Sequence, residues 1–392
     1  MSLKIGLLGV EDPADIKSYS GTPFHLAHFL RAHGHDVRIC GPYPLRHQRL
    51  IFHFTRLYHR ITGRHFVWER TRWIAGQYKS VIEGYARANP DVDLFLATSV
   101  FHVAAAKVGV PIVAWGDTTV QGVMGLYPYY SNITEKMAAQ SHAVEQRALT
   151  ACTIAIFSSN WAAQTAIDRY KVEPSKVHVI TYGANVLESP DADAFEHLLT
   201  KRLTGPQIVT LVGVDWNRKG VDKAIAAVGV LRGRGMQVRL RVVGCKAPAT
   251  VQVPDYVDVL GRIPKNTPDG QKAFYEQLRT SHAVILPSVA ECAAVSLIEA
   301  NAYGLPVLAS NVGGNPSLVR EGMNGYLCDP TASAEVWADA LEKILKDRDQ
   351  YENLSRSSYA LYHSEYCWDA AVSRFERLMQ TLLLNRASEP QR

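Results

Sequence analysis

Two glutamates stand eight positions apart in a stretch whose composition favours phosphate binding. Glu291 follows an apolar run that ends at Pro287, and Glu299 lies in the alanine-containing segment that comes next. A helix that starts near Ala293 would direct free backbone N–H groups and the positive end of its dipole toward the loop. Only one of the two carboxylates can lie at that helix terminus. We expect the two carboxylates to meet different parts of a bound ligand. The alternative is a helix cap and a solvated helix residue.

Two adjacent cations, Arg218 and Lys219, form a second candidate site. They lie in a loop between a strand-type run that ends near Val214 and an alanine-rich helix-type run. An Arg can bind a diphosphate through two parallel hydrogen bonds, whereas a Lys supplies a mobile point charge. The loop therefore predicts a diphosphate site, with an ordinary surface turn as the alternative.

The elements that position these residues follow a regular order. Short β-type runs alternate with helix-type runs, which is typical of parallel sheets crossed by helices. One series of strands is predicted between residues 4 and 181, a second between residues 208 and 327, and a turn-rich acidic segment over 183–193 separates them. The sequence therefore predicts an α/β protein with two doubly wound domains. Since ligands of such sheets bind beyond the carboxyl ends of the strands, the domains are expected to face a central cleft.

The composition is that of a soluble globular protein large enough for two domains. Of 392 residues, 47% are hydrophobic and 20% charged, and the formal net charge is +5. The apolar start of the chain predicts a first strand rather than a signal peptide, and no apolar run approaches the roughly 18 residues of a membrane-spanning helix. The six cysteines are scattered, which favours a reducing cytoplasmic setting over zinc or a redox dithiol.

The stretch around the paired glutamates resembles the signature of glycosyltransferase family 4. Two glutamates separated by seven residues are followed by Ala, Gly and Pro-Val in the family's order, and residues 310–319 and 322–327 are similar to the family's continuation. The resemblance covers nearly the whole chain and is strongest from about Val209 to Pro330. It implies a GT-B fold of two Rossmann-like domains. Its expected divisions are an acceptor-binding domain over 1–187, a nucleotide-sugar-binding domain over 188–365, and a terminal helix over 366–392 that returns to the first domain.

The resemblance also implies roles in the donor site. Glu291 would be catalytic and lie at the donor sugar, and Glu299 would accept hydrogen bonds from the ribose hydroxyls. Arg218 substitutes for an arginine that the family commonly places where this chain has Val214. The implied donor-binding residues are Arg218, Lys219, Arg262, Ile263, Ala293, Ala294, Val295 and Glu299. The alanines stand where the family usually has a glycine-containing loop; they keep the backbone N–H donors and add little bulk.

In the first domain the resemblance implies an acceptor or phosphate loop and a catalytic acid. Gly21 and Thr22 stand in a loop before a predicted amphipathic helix, where a glycine lets a ligand approach the backbone. Asp117 matches the aspartate of the family's His-Asp pair, but Gly116 replaces the histidine. Catalysis would then rest on positioning and charge stabilisation, with the departing diphosphate taking the acceptor proton.

A basic and aromatic segment over residues 46–79 contains a single acid, Glu69. Such a stretch is typical of a surface that meets an anionic membrane or an anionic acceptor. The alternative is a solvated helix pair whose aromatic side chains belong to the core.

These features predict a retaining hexosyltransferase of polysaccharide or glycoconjugate biosynthesis. Its partners would be a nucleoside diphosphate sugar and a glycan, lipid-linked or small-molecule acceptor, and no nucleic acid. Its expected location is the cytoplasm. Peripheral contact with a membrane through residues 46–79 is left open. Neither a cofactor nor a metal is expected; the four histidines of residues 25–35 are predicted to lie on a helix surface or in turns. The alternatives are a GT-B sugar-nucleotide epimerase or phosphorylase, or a non-catalytic sugar-nucleotide binding protein.

Overall fold

The computed structural model describes residues 2–388, with side chains up to residue 384. The chain divides into two compact units. The first holds the residues up to Thr181 together with those from Ala371, and the second holds Tyr182–Ala370. These divisions lie a few residues from those predicted at 187 and 365.

The first unit contains a sheet of six parallel strands. They are β1 Lys4–Leu8, β2 Asp36–Cys40, β3 Leu94–Ala97, β4 Ile112–Gly116, β5 Ile154–Phe157 and β6 Val177–Val179. The helices are α1 Thr22–Ala32, α2 Gln48–Thr62, α3 Arg72–Ala88, α4 Val120–Val123, α5 Glu135–Ala151 and α6 Asn160–Tyr170. The strand order is β2-β1-β3-β4-β5-β6, so the direction of winding reverses between β1 and β3. Every residue of β3, β4 and β5 is buried, as in parallel sheets covered on both faces.

The second unit repeats this architecture with a different strand order. Its strands are β7 Gln207–Val212, β8 Val238–Val243, β9 Val257–Gly261, β10 Ala283–Leu286, β11 Val307–Ser310 and β12 Gly325–Cys328. Its helices are α7 Ala192–Arg202, α8 Val221–Gly233, α9 Pro268–Arg279, α10 Val295–Asn301, α11 Ala334–Leu345 and α12 Arg348–Leu361. The order β12-β11-β10-β7-β8-β9 is that of a Rossmann fold, with its reversal point between β7 and β10.

The core of the second unit lies on both faces of its sheet. Ile285 of β10 belongs to one apolar cluster, while its neighbours Val284 and Leu286 belong to the other. Alternate residues of a strand point to opposite faces, so a fully apolar strand fills both layers. The two apolar clusters hold the carboxyl ends of β7 and β10 side by side.

The last helix, α13, spans Trp368–Ser388 and begins in the second unit. There the indole Nε1 of Trp368 donates to Asn185 Oδ1 at 3.2 Å. The residues from Ala371 onward count with the first unit, where the ring of Phe375 stacks on Trp115 with centroids 5.9 Å apart. The helix thus contributes side chains to both units.

The α/β prediction with two doubly wound parallel sheets is confirmed. Of the strands in the two predicted series, those over 36–40, 238–243 and 283–286 coincide with β2, β8 and β10, and the others differ from the observed strands by one or two residues at one or both ends. The prediction for the histidines is wrong for His25 and His35, which are buried; His35 Nδ1 accepts the backbone N–H of Leu3 at 3.1 Å. No helix among residues 2–388 combines the length and apolar character needed to cross a lipid bilayer.

Candidate active site

The loops that follow β7 and β10 meet at the reversal point of the second sheet. The backbone N–H of Val289 donates to Arg218 O at 2.9 Å. Gly220 has a φ of +68°, and a Cβ there would lie 2.0 Å from Pro287 O. Glycine is therefore required where the two loops touch. This edge of a Rossmann sheet is where ligands bind.

Glu291 is the centre of the contacts between these loops. Its Oε1 accepts from Lys219 Nζ at 2.6 Å, from Ser288 Oγ at 2.7 Å and from Arg218 Nη1 at 3.3 Å. Arg218 Nη1 also donates to Ala290 O at 3.0 Å. The carboxylate and Lys219 are buried, and only 17% of the Arg218 side chain is exposed. The structure thus brings the predicted catalytic acid and the predicted diphosphate-binding cations together, with one positive charge in excess.

Two further glycines allow this close packing. A Cβ on Gly213, directly after β7, would lie 2.4 Å from Lys219 Cγ. Gly313 has a φ of +51°, and a Cβ there would lie 1.7 Å from Glu291 O. At these two positions the glycine lies directly against a charged residue, Gly213 against Lys219 and Gly313 against Glu291. A larger residue at either position would displace Lys219 or Glu291.

The helix after Glu291 starts later than the sequence predicts. α10 begins at Val295 rather than near Ala293 and is only seven residues long. Ala294 has a ψ of 78°, outside the helical region, and the Val295 N–H donates to Ala293 O at 2.9 Å. The Val295 N–H is therefore engaged within this turn. The predicted helix start was wrong because a tight turn, which the alanines do not reveal, precedes α10.

Glu299 is buried on α10 and paired with a lysine that the sequence analysis missed. Lys265 Nζ donates to Glu299 Oε1 at 2.6 Å and lies 4.1 Å from the centre of the Phe274 ring. The interpretation of Glu299 as a solvated helix residue is wrong. Arg262 is exposed, and Ile263 packs against the apolar core. Lys265 follows these two in the chain, but its pairing with a glutamate 34 residues away has no local signal.

The predicted residues of the first unit lie beyond the carboxyl ends of their strands. Asp117 directly follows β4 and is half-buried; burial raises the pKa of its carboxyl, and its own backbone N–H partly opposes the rise. Gly21 is the N-cap of α1 with a φ of +88°, and Thr22 is the first helical residue.

A buried ion pair in the first unit supports the segment that contains Asp117. Arg70 Nη1 donates to Glu145 Oε2. The other carboxylate oxygen accepts the backbone N–H of Val120 at 3.1 Å, at the start of α4. The Arg70 guanidinium also lies 4.7 Å from the centre of the Phe101 ring. Arg70 lies in the basic segment over 46–79, but its pairing with Glu145 was not predicted, because 75 residues separate the two.

No group of three or more His, Cys, Asp or Glu side chains within the described part of the chain is placed to hold a metal ion. Positive groups at this edge of the second sheet include Lys219 and Arg218, which both contact Glu291.

Comparison with known proteins identifies relatives of both halves of the chain. Residues 23–186 match the family model described as Glycosyltransferase Family 4, and residues 195–360 match the model described as Glycosyl transferases group 1. The chain is 30% identical over 250 residues to a D-inositol 3-phosphate glycosyltransferase of Corynebacterium aurimucosum, a match that covers 60% of this chain and 58% of that protein. A D-inositol 3-phosphate glycosyltransferase of Salinispora arenicola is 30% identical over 231 residues, covering 53% of this chain and 50% of that protein. The matches thus span less than two thirds of either relative.

Solved structures show the same fold at low sequence identity. Sucrose-phosphate synthase from Thermosynechococcus elongatus superposes with a TM-score of 0.68 at 19% identity, covering 98% of this chain and 100% of that one. Anabaena HepE in complex with UDP and glucose superposes with a TM-score of 0.63 at 17% identity, covering 97% and 99% of the two chains.

Proposed function

The chain belongs to glycosyltransferase family 4 and has the GT-B fold, and we propose that it transfers a sugar from a nucleoside diphosphate sugar with retention of anomeric configuration. The observation that carries the proposal is the convergence of Lys219 and Arg218 on Glu291 at the reversal point of the second sheet. Two cations and one carboxylate leave a net positive charge, which suits a diphosphate with a neutral sugar attached. The HepE complex with UDP and glucose is consistent with such a ligand.

The cations are arranged so that they can bind a diphosphate without releasing Glu291. A lysine ammonium has three N–H donors, and Lys219 gives one of them to Glu291. The guanidinium of Arg218 donates from Nη1 to Glu291 Oε1 and to Ala290 O, and it brings the second positive charge to the site. The other donors of Lys219 and the charge of Arg218 can attract phosphate oxygens while Glu291 stays oriented by Ser288. We assign the diphosphate to Arg218 and Lys219, and the transferred sugar to Glu291.

The nucleoside is assigned to the neighbouring part of the same edge. Glu299 Oε1 is held by Lys265, which leaves Oε2 to accept hydrogen bonds from ribose hydroxyls. The segment of Arg262 and Ile263, which directly follows β9, is proposed to hold the nucleobase. The backbone of Ala293 and Ala294 would approach the sugar or phosphate, with a smaller contribution from Val295, whose N–H bonds to Ala293 O.

The proposed reaction takes place on one face of the donor sugar. The bond between the anomeric carbon and the diphosphate oxygen breaks, and the acceptor hydroxyl oxygen bonds to the same face of that carbon. The acceptor proton passes to the departing diphosphate oxygen. Lys219 and Arg218 stabilise the charge that develops on the diphosphate, and the Glu291 carboxylate stabilises the positive charge on the anomeric carbon. Because protein cations neutralise the diphosphate, the proposal needs no metal and no cofactor.

The acceptor is assigned to the first unit. Asp117, Gly21 and Thr22 are the proposed contacts, and the Asp117 carboxyl can form a hydrogen bond with an acceptor hydroxyl. The relatives named for D-inositol 3-phosphate make a phosphorylated polyol the first small-molecule acceptor to try. Carbohydrate and lipid-linked acceptors belong to the same proposal.

A cytoplasmic location is also proposed. All six cysteines are free thiols, and five of them are buried. This is the state expected of a protein from a reducing compartment.

A ligand screen followed by product analysis tests the proposal. UDP-, GDP-, ADP- and dTDP-sugars are compared by thermal shift, and we expect one nucleotide class to raise the melting temperature in proportion to its occupancy. The stabilising donor is then incubated with D-inositol 3-phosphate in the presence of EDTA, and the anomeric configuration of the product is read by NMR. A product of retained configuration supports the assignment. A lack of stabilisation by every donor, an inverted product, or conversion of the donor to its epimer without transfer would contradict it.

A further inference from the structure

The helix α2 buries very little of its surface. Of its fifteen residues, only Ile51 is buried. Four large apolar side chains are 65%, 51%, 56% and 73% exposed: Leu50, Phe54, Leu57 and Ile61. Their spacings of four, three and four residues place them on one face of the helix. We call this row the apolar stripe.

A row of basic side chains runs beside the apolar stripe. Arg49, His53, Arg56 and Arg60 are exposed and repeat the same spacing one position earlier, so they lie about 100° round the helix. No ion pair is found for the three arginines within residues 2–388. No Asp or Glu occurs over residues 37–68. We call this row the basic stripe.

Glu69, the first acid after residues 37–68, is not paired with the basic stripe. The Glu69 carboxylate accepts a hydrogen bond from Tyr129 OH at 2.6 Å and is half-buried. Burial raises its pKa, and the hydrogen bond from Tyr129 partly opposes the rise. The described residues show no ion pair between Glu69 and the basic stripe, and α2 itself contains no acid.

Ring contacts hold α2 against the segment that returns from it. Phe54 packs on Phe66 with ring centroids 5.2 Å apart, and Tyr58 packs on the same ring at 5.6 Å. Phe52 lies edge-on to Trp68 at 5.7 Å. These contacts fix the rotation of the helix about its axis. The apolar and basic stripes are therefore presented together without rearrangement.

We propose that α2 docks on the surface of an anionic lipid bilayer, with the apolar stripe inserted at the headgroup boundary and the basic stripe against the lipid phosphates. A helix with an apolar face and a cationic flank is typical of interfacial membrane binding. Trp73, at the start of α3, is 54% exposed and is a residue type enriched at membrane interfaces. A second copy of the chain is a poorer partner for α2, because two acid-free basic stripes would repel each other.

Vesicle binding of the full chain tests this proposal. Flotation is measured with phosphatidylcholine vesicles and with vesicles that contain 30 mol% phosphatidylglycerol, each at low and at high salt. We expect binding only to the anionic vesicles, weakened by salt because the charges are exposed. At low salt the double variant Arg56→Gln/Arg60→Gln should bind roughly 30-fold more weakly, since each arginine near an anionic surface contributes roughly 1 kcal/mol.

A second pair of variants separates the two stripes. Leu57→Gln/Ile61→Gln should also reduce binding, but the remaining binding should keep its salt dependence because the arginines are intact. The matched control is Arg87→Gln/Arg147→Gln, which removes two exposed arginines outside α2 and should bind as the unmodified chain does. Three outcomes would overturn the proposal: no binding to anionic vesicles, equal binding by α2 variants and control, or self-association that α2 substitutions abolish. None of these residues is assigned to the donor, so nucleotide stabilisation is expected to persist in every variant.

Discussion

Cations are arranged in opposite ways in two regions of this molecule. At the edge of the second sheet, Lys219 and Arg218 are largely buried and contact the same oxygen of Glu291. Along α2, Arg56 and Arg60 are exposed, and no acid partner for them is found in the described part of the chain. The first arrangement fixes two positive charges in place, whereas the second leaves them directed at solvent.

The difference indicates how each region can recognise a negative charge. Buried cations need a carboxylate to offset the loss of hydration, so their geometry is set before a ligand arrives. Exposed cations attract an anionic surface over a longer range, and salt screens that attraction. The number of arginines and lysines in a segment does not distinguish the two cases. Burial and pairing do, and each can be tested by substitution.

Removal of the Glu291 side chain should have the largest effect on stability. Glu291→Ala leaves Lys219 buried beside Arg218 without a carboxylate, and we expect the free energy of unfolding to fall by roughly 3 kcal/mol or more. A saturating nucleoside diphosphate should recover part of this loss, because its phosphates replace the missing negative charge. Urea unfolding with and without nucleotide measures both effects.

The matched control for this loss is a surface ion pair. Glu196 pairs with Arg356 at 2.8 Å, and both side chains are about half exposed. Glu196→Ala should therefore cost under about 1 kcal/mol. Equal losses in the two variants would show that the Glu291 pair is not a buried charge site.

Removal of the lysine should weaken nucleotide binding. Lys219→Ala is expected to raise the calorimetric Kd for the preferred nucleoside diphosphate roughly 10- to 100-fold, since hydrogen bonds to charged groups contribute about 1.5–3 kcal/mol. Lys272→Ala, which removes an exposed lysine of α9, serves as the control and should bind as the unmodified chain does. Unchanged affinity in Lys219→Ala would place the diphosphate elsewhere.

The smallest effect is expected for the basic stripe. Arg56→Gln/Arg60→Gln should change the free energy of unfolding by under about 0.5 kcal/mol, because exposed residues without partners contribute little to stability. Nucleotide affinity should also stay unchanged. A destabilisation comparable with that of Glu291→Ala would remove the contrast between the two regions.

The strands could be predicted from the sequence because buried parallel strands are continuous apolar runs. β10 is an example, because its apolar run ends at the carboxyl end of the strand. The predicted site residues begin in the segment Pro287–Val307 that follows. The same logic located Glu291 and Lys219, each in a loop after a strand. The ion pair between them could not be predicted, because it joins residues 72 positions apart through the order of strands in the sheet.

The local backbone geometry and the side-chain pairing around the site could not be predicted from the sequence either. The start of α10 depends on the backbone angle of Ala294, and alanine is equally compatible with a helix. Lys265 carries no signal that it would meet Glu299. In the basic segment, aromatic composition leaves core and surface equally open, and the structure contains both: Tyr78 is buried, whereas Phe52 is 46% exposed.

The most direct test of the donor-site assignment is a comparison of nucleotide affinity and transfer rate in Glu291→Gln. This variant keeps the size of the side chain and both positive charges, Lys219 and Arg218, that are assigned to the phosphates. We expect the calorimetric Kd for the nucleoside diphosphate to stay the same or improve, while kcat falls by about 10²–10³-fold through loss of charge stabilisation at the reacting carbon. A variant that retains full turnover, or one that loses nucleotide affinity and turnover together, would contradict the assignment of Glu291 to the transferred sugar.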